Sequence, residues 1–309
     1  MEWLLSFLGI ALSALGLTAP TIDYVYVKDK KSRVSFYMAL TGLLLALGVF
    51  TFTVVTYLGE PIFVYDRALK LDFYGIFLAL TATLGAILVL AASASIKEWS
   101  TSPSFYSLFV LGLLGVYYLI FVNDLVLLIT AWALVSVISY VITGIKKDPS
   151  SVEGAVKYAV MGILASILML FAVANIYGLT GTTNISEITG LLSSRAQLTE
   201  SHQVLLLLLL FISAFGFKIG VVPFHGWLPD VYGGVYPTMV SFLIGVVKVA
   251  GVAAMLRMLF PLSSLTGNVW LLIFALLSIF TMTFGNVVAL VQSNFQRIVC
   301  HTISCFFII

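Results

Sequence analysis

Long apolar runs dominate the chain. Nine stretches of roughly 17 to 27 residues, at 3–19, 36–59, 71–94, 105–123, 124–144, 155–181, 204–223, 236–259 and 268–292, are almost free of charge. A membrane-crossing helix needs about 20 mostly apolar residues, because the hydrocarbon core is roughly 30 Å thick and each residue rises about 1.5 Å. Only 9% of the 309 residues are charged, against 61% hydrophobic. A water-facing surface of ordinary domains needs about 25%. Disorder, a disulfide-rich secreted fold and nucleic-acid binding are thereby excluded; the net charge of +2 is too small to attract a polyanion. Barrel strands alternate over about ten residues, so the runs predict an all-α polytopic membrane protein. A tenth stretch, 298–309, is too short to cross. The fourth and fifth spans are joined by a tight turn at Asn123-Asp124. The first run lacks a basic lead-in and a cleavage site, so a retained helix is expected rather than a signal peptide.

Loop charges give an orientation. Lys28, Lys30, Lys31, Arg33, Lys97, Lys146, Lys147 and Arg297 fall on one side, and Arg67, Lys70, Arg195 and Arg257 on the other. The first side is expected to be cytoplasmic and the N-terminus outside, in a multi-pass protein of the cell membrane. The longest connection, 182–203, is expected to hold a short amphipathic surface helix. Cys300 and Cys305 form neither a disulfide framework nor a cluster-ligand set.

The informative charges are those within the spans. Lys218 lies inside the seventh and Lys248 at the centre of the eighth. Each costs about 2.5–3.5 kcal/mol on insertion scales. Two readings follow. Each lysine can hydrogen-bond between helices, or the pair can relay protons, since a buried amine gains and loses its proton as its surroundings change. The seventh span is interrupted at Gly216, Gly220 and Pro223, followed by His225, Trp227, Pro229 and Asp230. Either Pro223 ends the helix at the surface, or the break lines a wet cavity, as broken helices do in transporters. Lys218, five residues upstream, favours the cavity. His225 is a candidate proton carrier or an interfacial histidine. Glu153 and Lys157 have the i,i+4 spacing of a surface ion pair. Asn175 and Asn286 are amides suited to bonding neighbouring helices. Phosphate-binding glycine loops, paired catalytic carboxylates, metal-ligand clusters and nucleophile–base arrangements are all missing from the sequence.

FKIGVVPFHGWLPDVYGG, with Lys248 and VAGVAAMLR after it, resembles the antiporter-like proton-translocating subunits of respiratory complex I and its relatives. Within that family, P-D-V-Y-x-G after P-F-H-x-W is nearest to subunit N of NADH-quinone oxidoreductase. NDLVLLITAWALVSVISYVITG, AVKYAVMGILAS, IYGLTGTTNISEI and NVVALVQSNFQRIV extend the resemblance over about 72–299. The fold is shared with cation/proton antiporter subunits and with membrane-bound hydrogenase complexes. The resemblance implies a 14-helix subunit of two inverted five-helix repeats, with an interrupted seventh helix. It places 1–104 as an N-terminal three-helix segment, 105–259 as the first, proton-translocating repeat, and 260–309 as the start of a truncated second repeat. Lys218 and Lys248 would be the proton-handling lysines, and Pro223, His225 and Asp230 the polar break. NADH or a related donor, flavin, iron–sulfur clusters and quinone would sit on partner subunits, with no cofactor on this chain.

One departure is Ala133. The family carries a glutamate after the tryptophan of its fifth helix, and here alanine follows Trp132. That carboxylate would pair with the lysine of the seventh helix. Ser136, Ser139 and Tyr140 are the hydroxyls left to offer hydrogen bonds. Together with the chain's end at CHTISCFFII, this leaves two alternatives to a complex I-type proton-translocating subunit: a cation/proton antiporter subunit, or a structural, non-pumping remnant.

Overall fold

A computed structural model describes residues 2–26, 34–56, 59–96, 103–194, 201–266 and 269–306. The chain is almost wholly helical: α1 (Glu2–Tyr26), α2 (Val34–Thr56), α3 (Phe73–Ser93), α4 (Pro103–Phe121), α5 (Leu125–Thr143), α6 (Pro149–Thr180), α7 (Ile185–Ser194), α8 (Ser201–Ile219), α9 (Leu228–Gly234), α10 (Pro237–Phe242), α11 (Lys248–Thr266), α12 (Val269–Val291) and α13 (Phe295–Phe306). A π-helical turn, Leu243–Val247, joins α10 to α11. Among the described residues, eight helical stretches are long and apolar enough to cross a membrane. They match the expected spans from the second to the ninth. The first expected span lies within α1, a 25-residue helix whose stretch Ser6–Thr18 is apolar. Of the orientation charges, Lys28, Lys30, Lys31, Arg33, Lys97 and Arg195 lie outside the described residues.

Aspartates set where the helices begin. Asp72 accepts from Gly75 N, Asp124 from Val126 N and Leu127 N, and Asp148 from Ser151 N, so that α3, α5 and α6 each open on a carboxylate cap. This explains why the acidic residues gather at span ends. Pro149 at the first helical position starts α6 six residues before the expected span. Gly181, at φ +74°, ends that helix through a bond from its N–H to Tyr177 O. The Asn123-Asp124 turn and the surface helix expected in 182–203, α7, are both present.

The bundle centres on α4, which packs against α1, α2, α5 and α11. Phe105, Phe109, Leu113, Val116, Leu119 and Ile120 are fully enclosed, the all-round burial expected of a helix apolar on every face. By contrast, α12 buries only Thr281 and Gly285. The sequence did not announce the antiparallel hairpin between α2 and α3. Ile62–Val64 (β1) pairs with Leu69–Leu71 (β2), and Val64, Leu69 and Leu71 plug one end of the bundle. The alternation in L-K-L and the β-branched residues of I-F-V were its only signal.

Candidate proton-handling site

The interruption expected after the seventh span is real. Lys218 lies in the last turn of α8. The helix stops at Ile219, and helical structure resumes only at Leu228. Gly220 makes the stop possible. Its φ is +87°, a side chain there would collide with Leu228, and its Cβ position lies 3.5 Å from Lys248 Nζ. Freed backbone groups at membrane depth must find partners. Here Gly220 N and Val221 N both donate to Gly216 O, at 2.8 and 2.9 Å. Trp227 Nε1 donates to Phe217 O at 3.1 Å. Val222 N donates to Thr281 Oγ1 of α12 at 3.1 Å. Protein groups thus satisfy several polar atoms of the break, where only Val221 and Trp227 between positions 221 and 227 are buried. Pro223 lies exposed within it.

Both lysines are enclosed, each 1% exposed. Lys218 Nζ donates to Ser136 Oγ of α5 at 2.9 Å and sits 5.2 Å from the centroid of the Trp132 ring, a cation–π distance. Among the described residues, no carboxylate pairs with Lys218. Lys248 follows the π-helical turn directly, and its N–H reaches back to Leu243 O. Such turns re-aim the side chains beyond them. Gly85 of α3 admits this wide turn: a Cβ there would lie 3.1 Å from Gly245 O. Lys248 Nζ lies 5.7 Å from the Tyr232 ring centroid. The two lysines flank one helix contact, since a Cβ at Gly251, on α11, would lie 3.3 Å from Lys218 Cγ. Tyr158 stacks on Trp227 at 4.2 Å and 15°, and its hydroxyl accepts from Ser139 at 3.3 Å. One hydroxyl, Ser136, and one aromatic face, Trp132, therefore meet the Lys218 amine.

Other residues singled out in the sequence sit apart from the lysines. His225 is half-buried, edge-on to Phe284 of α12 with centroids 4.7 Å apart. Asp230 binds Lys157 of α6 at 2.7 Å, and Lys157 also holds Glu153 at 2.7 Å. The i,i+4 pair is present, with a third member. Asn175 bonds its own helix, at Phe171 O, and not a neighbour. Ala133 is exposed on α5, bracketed by the buried Trp132 and Ser136 that face Lys218. A carboxylate there would start from the outer rim of α5. Helix rotation is the reason: position 133 is turned roughly 100° from 132 and 60° from 136.

Sequence reasoning missed a third buried cation. Arg257 was counted as a loop charge, but α11 continues to Thr266 and its side chain is only 7% exposed. Nη1 and Nη2 grip Asp72 at 3.0 and 2.6 Å, Nε donates to Ile120 O at 2.6 Å, and Nη2 also reaches Lys70 O at 3.3 Å. This fork locks α11 to α3, α4 and β2. The available signal was its place in the same apolar run as Lys248, nine residues on.

The sequence pattern of the NADH:quinone oxidoreductase/Mrp antiporter transmembrane family matches residues 122–304. The chain is 34% identical, over 95% of its length, to F(420)H(2) dehydrogenase subunit N of Methanosarcina mazei, covering 60% of that protein. It is 33% identical, over 97% of its length, to NADH-quinone oxidoreductase subunit N of Heliobacterium modesticaldum, covering 61%. The chain thus spans about 60% of the length of these curated relatives. A chain in the structure of respiratory complex I from Thermus thermophilus superposes with a TM-score of 0.80 at 26% identity, over 97% of this chain and 62% of that one. On these matches, and on the broken eighth helix with its two enclosed lysines, the chain belongs to the NADH:quinone oxidoreductase/Mrp antiporter transmembrane family.

Proposed function

We propose that the chain is a membrane subunit of an NADH:quinone oxidoreductase-type complex that couples electron transfer to proton translocation through Lys218 and Lys248, with the N-terminus outside. Residues 105–259 form its proton-handling unit. Flavin, iron–sulfur clusters, quinone and the electron donor belong to partner subunits. One observation carries this reading: two enclosed amines on either side of the α8–α11 contact, beside a helix break. Lys218 has a hydroxyl partner able both to accept and to donate a proton. Proton exchange requires the Ser136 contact to open to a proton donor or acceptor, and the Trp132 face moderates the charged state without fixing it. In the assembled complex, Lys218→Ala and Lys248→Ala are each expected to lower the protons moved per electron. An unchanged ratio for both would remove the assigned role.

Ala133 motivates a second reading, a structural subunit that does not pump. It predicts that both lysine variants assemble and pump as the parent does. The same measurement therefore separates the two.

A further inference from the structure

Two cavities share a wall formed by Leu256 and Phe260. The first, about 540 Å³, has a polar wall that includes Lys70, Tyr74, Asn123, Ser186 and the Asp72–Arg257 pair. The second, about 310 Å³, runs between α8, α11 and α12 and is lined by apolar side chains and Gly216.

The polar chamber carries two cations and one carboxylate, a formal excess of one positive charge. Arg257 gives four of its five N–H donors to Asp72 and to main-chain carbonyls. Two further donor groups line the chamber. Lys70 Nζ is 3.9 Å from Asp72, with its side chain 32% exposed. The Tyr74 hydroxyl is buried and makes no hydrogen bond. Both suit an anionic oxygen. The apolar groove runs from Phe260 towards Val252 and Ile219. Eight residues of helix span about 12 Å, most of the roughly 15 Å from the interface to the bilayer midplane. Its walls are apolar side chains apart from the Trp270 indole N–H, a lining suited to a hydrocarbon chain.

We propose that these cavities form one binding site for an anionic phospholipid. The phosphate sits between Lys70 and Tyr74, and one acyl chain lies in the α8–α11–α12 groove. The chain would press on Gly216 and Ile219, which flank Lys218 on α8, and so form the outer wall of the lysine compartment. The inference stands apart from any proton-transfer role, because it concerns binding alone.

Trp270 lines the groove and reports on it directly. The full chain, extracted in detergent, is titrated with phosphatidylglycerol or phosphatidylcholine carrying brominated acyl chains. Subtracting the quenching seen in Trp270→Phe isolates the Trp270 signal from the other four tryptophans of the five. Phosphatidylglycerol should quench Trp270 at a several-fold lower mole fraction than phosphatidylcholine. Lys70→Gln and Tyr74→Phe should abolish that preference, and Val252→Phe, which fills the groove, should weaken quenching by both lipids. Circular dichroism checks that each variant is folded. Equal quenching by the two lipids, indifferent to Lys70→Gln and Tyr74→Phe, would reduce the site to ordinary surrounding lipid and overturn the proposal. So would a folded protein whose Trp270 neither lipid quenches.

Discussion

Arg257 and Lys218 are both cations enclosed within apolar helices, yet their surroundings differ in kind. Arg257 has a carboxylate in a two-pronged grip, and main-chain carbonyls take two more of its donors. Lys218 has one hydroxyl and one aromatic face. Arginine keeps its charge in proteins, and its planar fork matches a carboxylate. Its site is a fixed tie between helices. Lysine can lose its proton, and with no paired anion at Lys218 that proton is not committed to one place. Under the proposed function, a buried charge without a counter-charge among the described residues is the one free to move a proton, and a buried charge with its counter-charge is architectural.

The largest test of this contrast is stability. Removing one partner of a buried pair costs about 3–5 kcal/mol, because it strands the other charge. Arg257→Ala strands Asp72, which also caps α3, and should therefore markedly lower the thermal unfolding temperature in detergent. Lys218→Met replaces an amine that has no carboxylate by an apolar chain of similar length, and should be neutral or stabilising. Equal losses from the two variants would show that Lys218 is as architectural as Arg257, and the contrast would fail.

A second test transplants the arginine pattern. Ser136→Asp gives Lys218 a carboxylate at the position that now holds it at 2.9 Å. The ammonium should be trapped, and proton translocation in the assembled complex should slow about tenfold for each ~1.4 kcal/mol of added stabilisation. Ala133→Glu offers the same charge from the exposed rim of α5 and should change the rate and its pH profile less. A larger effect from position 133 than from 136 would mean that the lysine turns outwards, away from Ser136, when it works.

The lysines, the helix break and the expected spans were legible because each is a local signal: a run length, a charge in an apolar window, a glycine–proline cluster. Glu153 and Lys157 were legible for the same reason, four residues apart. Asp230, which completes that cluster, stands 73 residues from Lys157, and Arg257 stands 185 from Asp72. No periodicity encodes such pairings. The exposure of Ala133 was hidden differently. Its position in the chain was plain, but helix rotation, which depends on what packs against α5, decides the face it shows. The π-helical turn before Lys248 was equally silent, since LIGVV is an unremarkable apolar string.

The smallest expected effect belongs to an ion pair that water can reach, the control for both buried cations. Asp148 caps α6 and is held by Lys146 at 2.7 Å. The Lys146 hydrogen bond, helped by Ser151 N–H, keeps the Asp148 carboxyl below its ordinary value. A carboxyl depressed in the folded state contributes stability above its unfolded value, about 3.9. That contribution is lost as pH falls through the lower, folded value. Stability should thus be indifferent to Asp148 ionisation between pH 5 and 8, and should decline only in acid. Asp148→Asn keeps a capping side chain but removes the charge, so its unfolding temperature should match the parent's more closely as pH falls towards 3. A gap between parent and variant that stays constant down to pH 3 would place the worth of Asp148 in its cap geometry alone, leaving water-screened pairing with no measurable part in holding the bundle together.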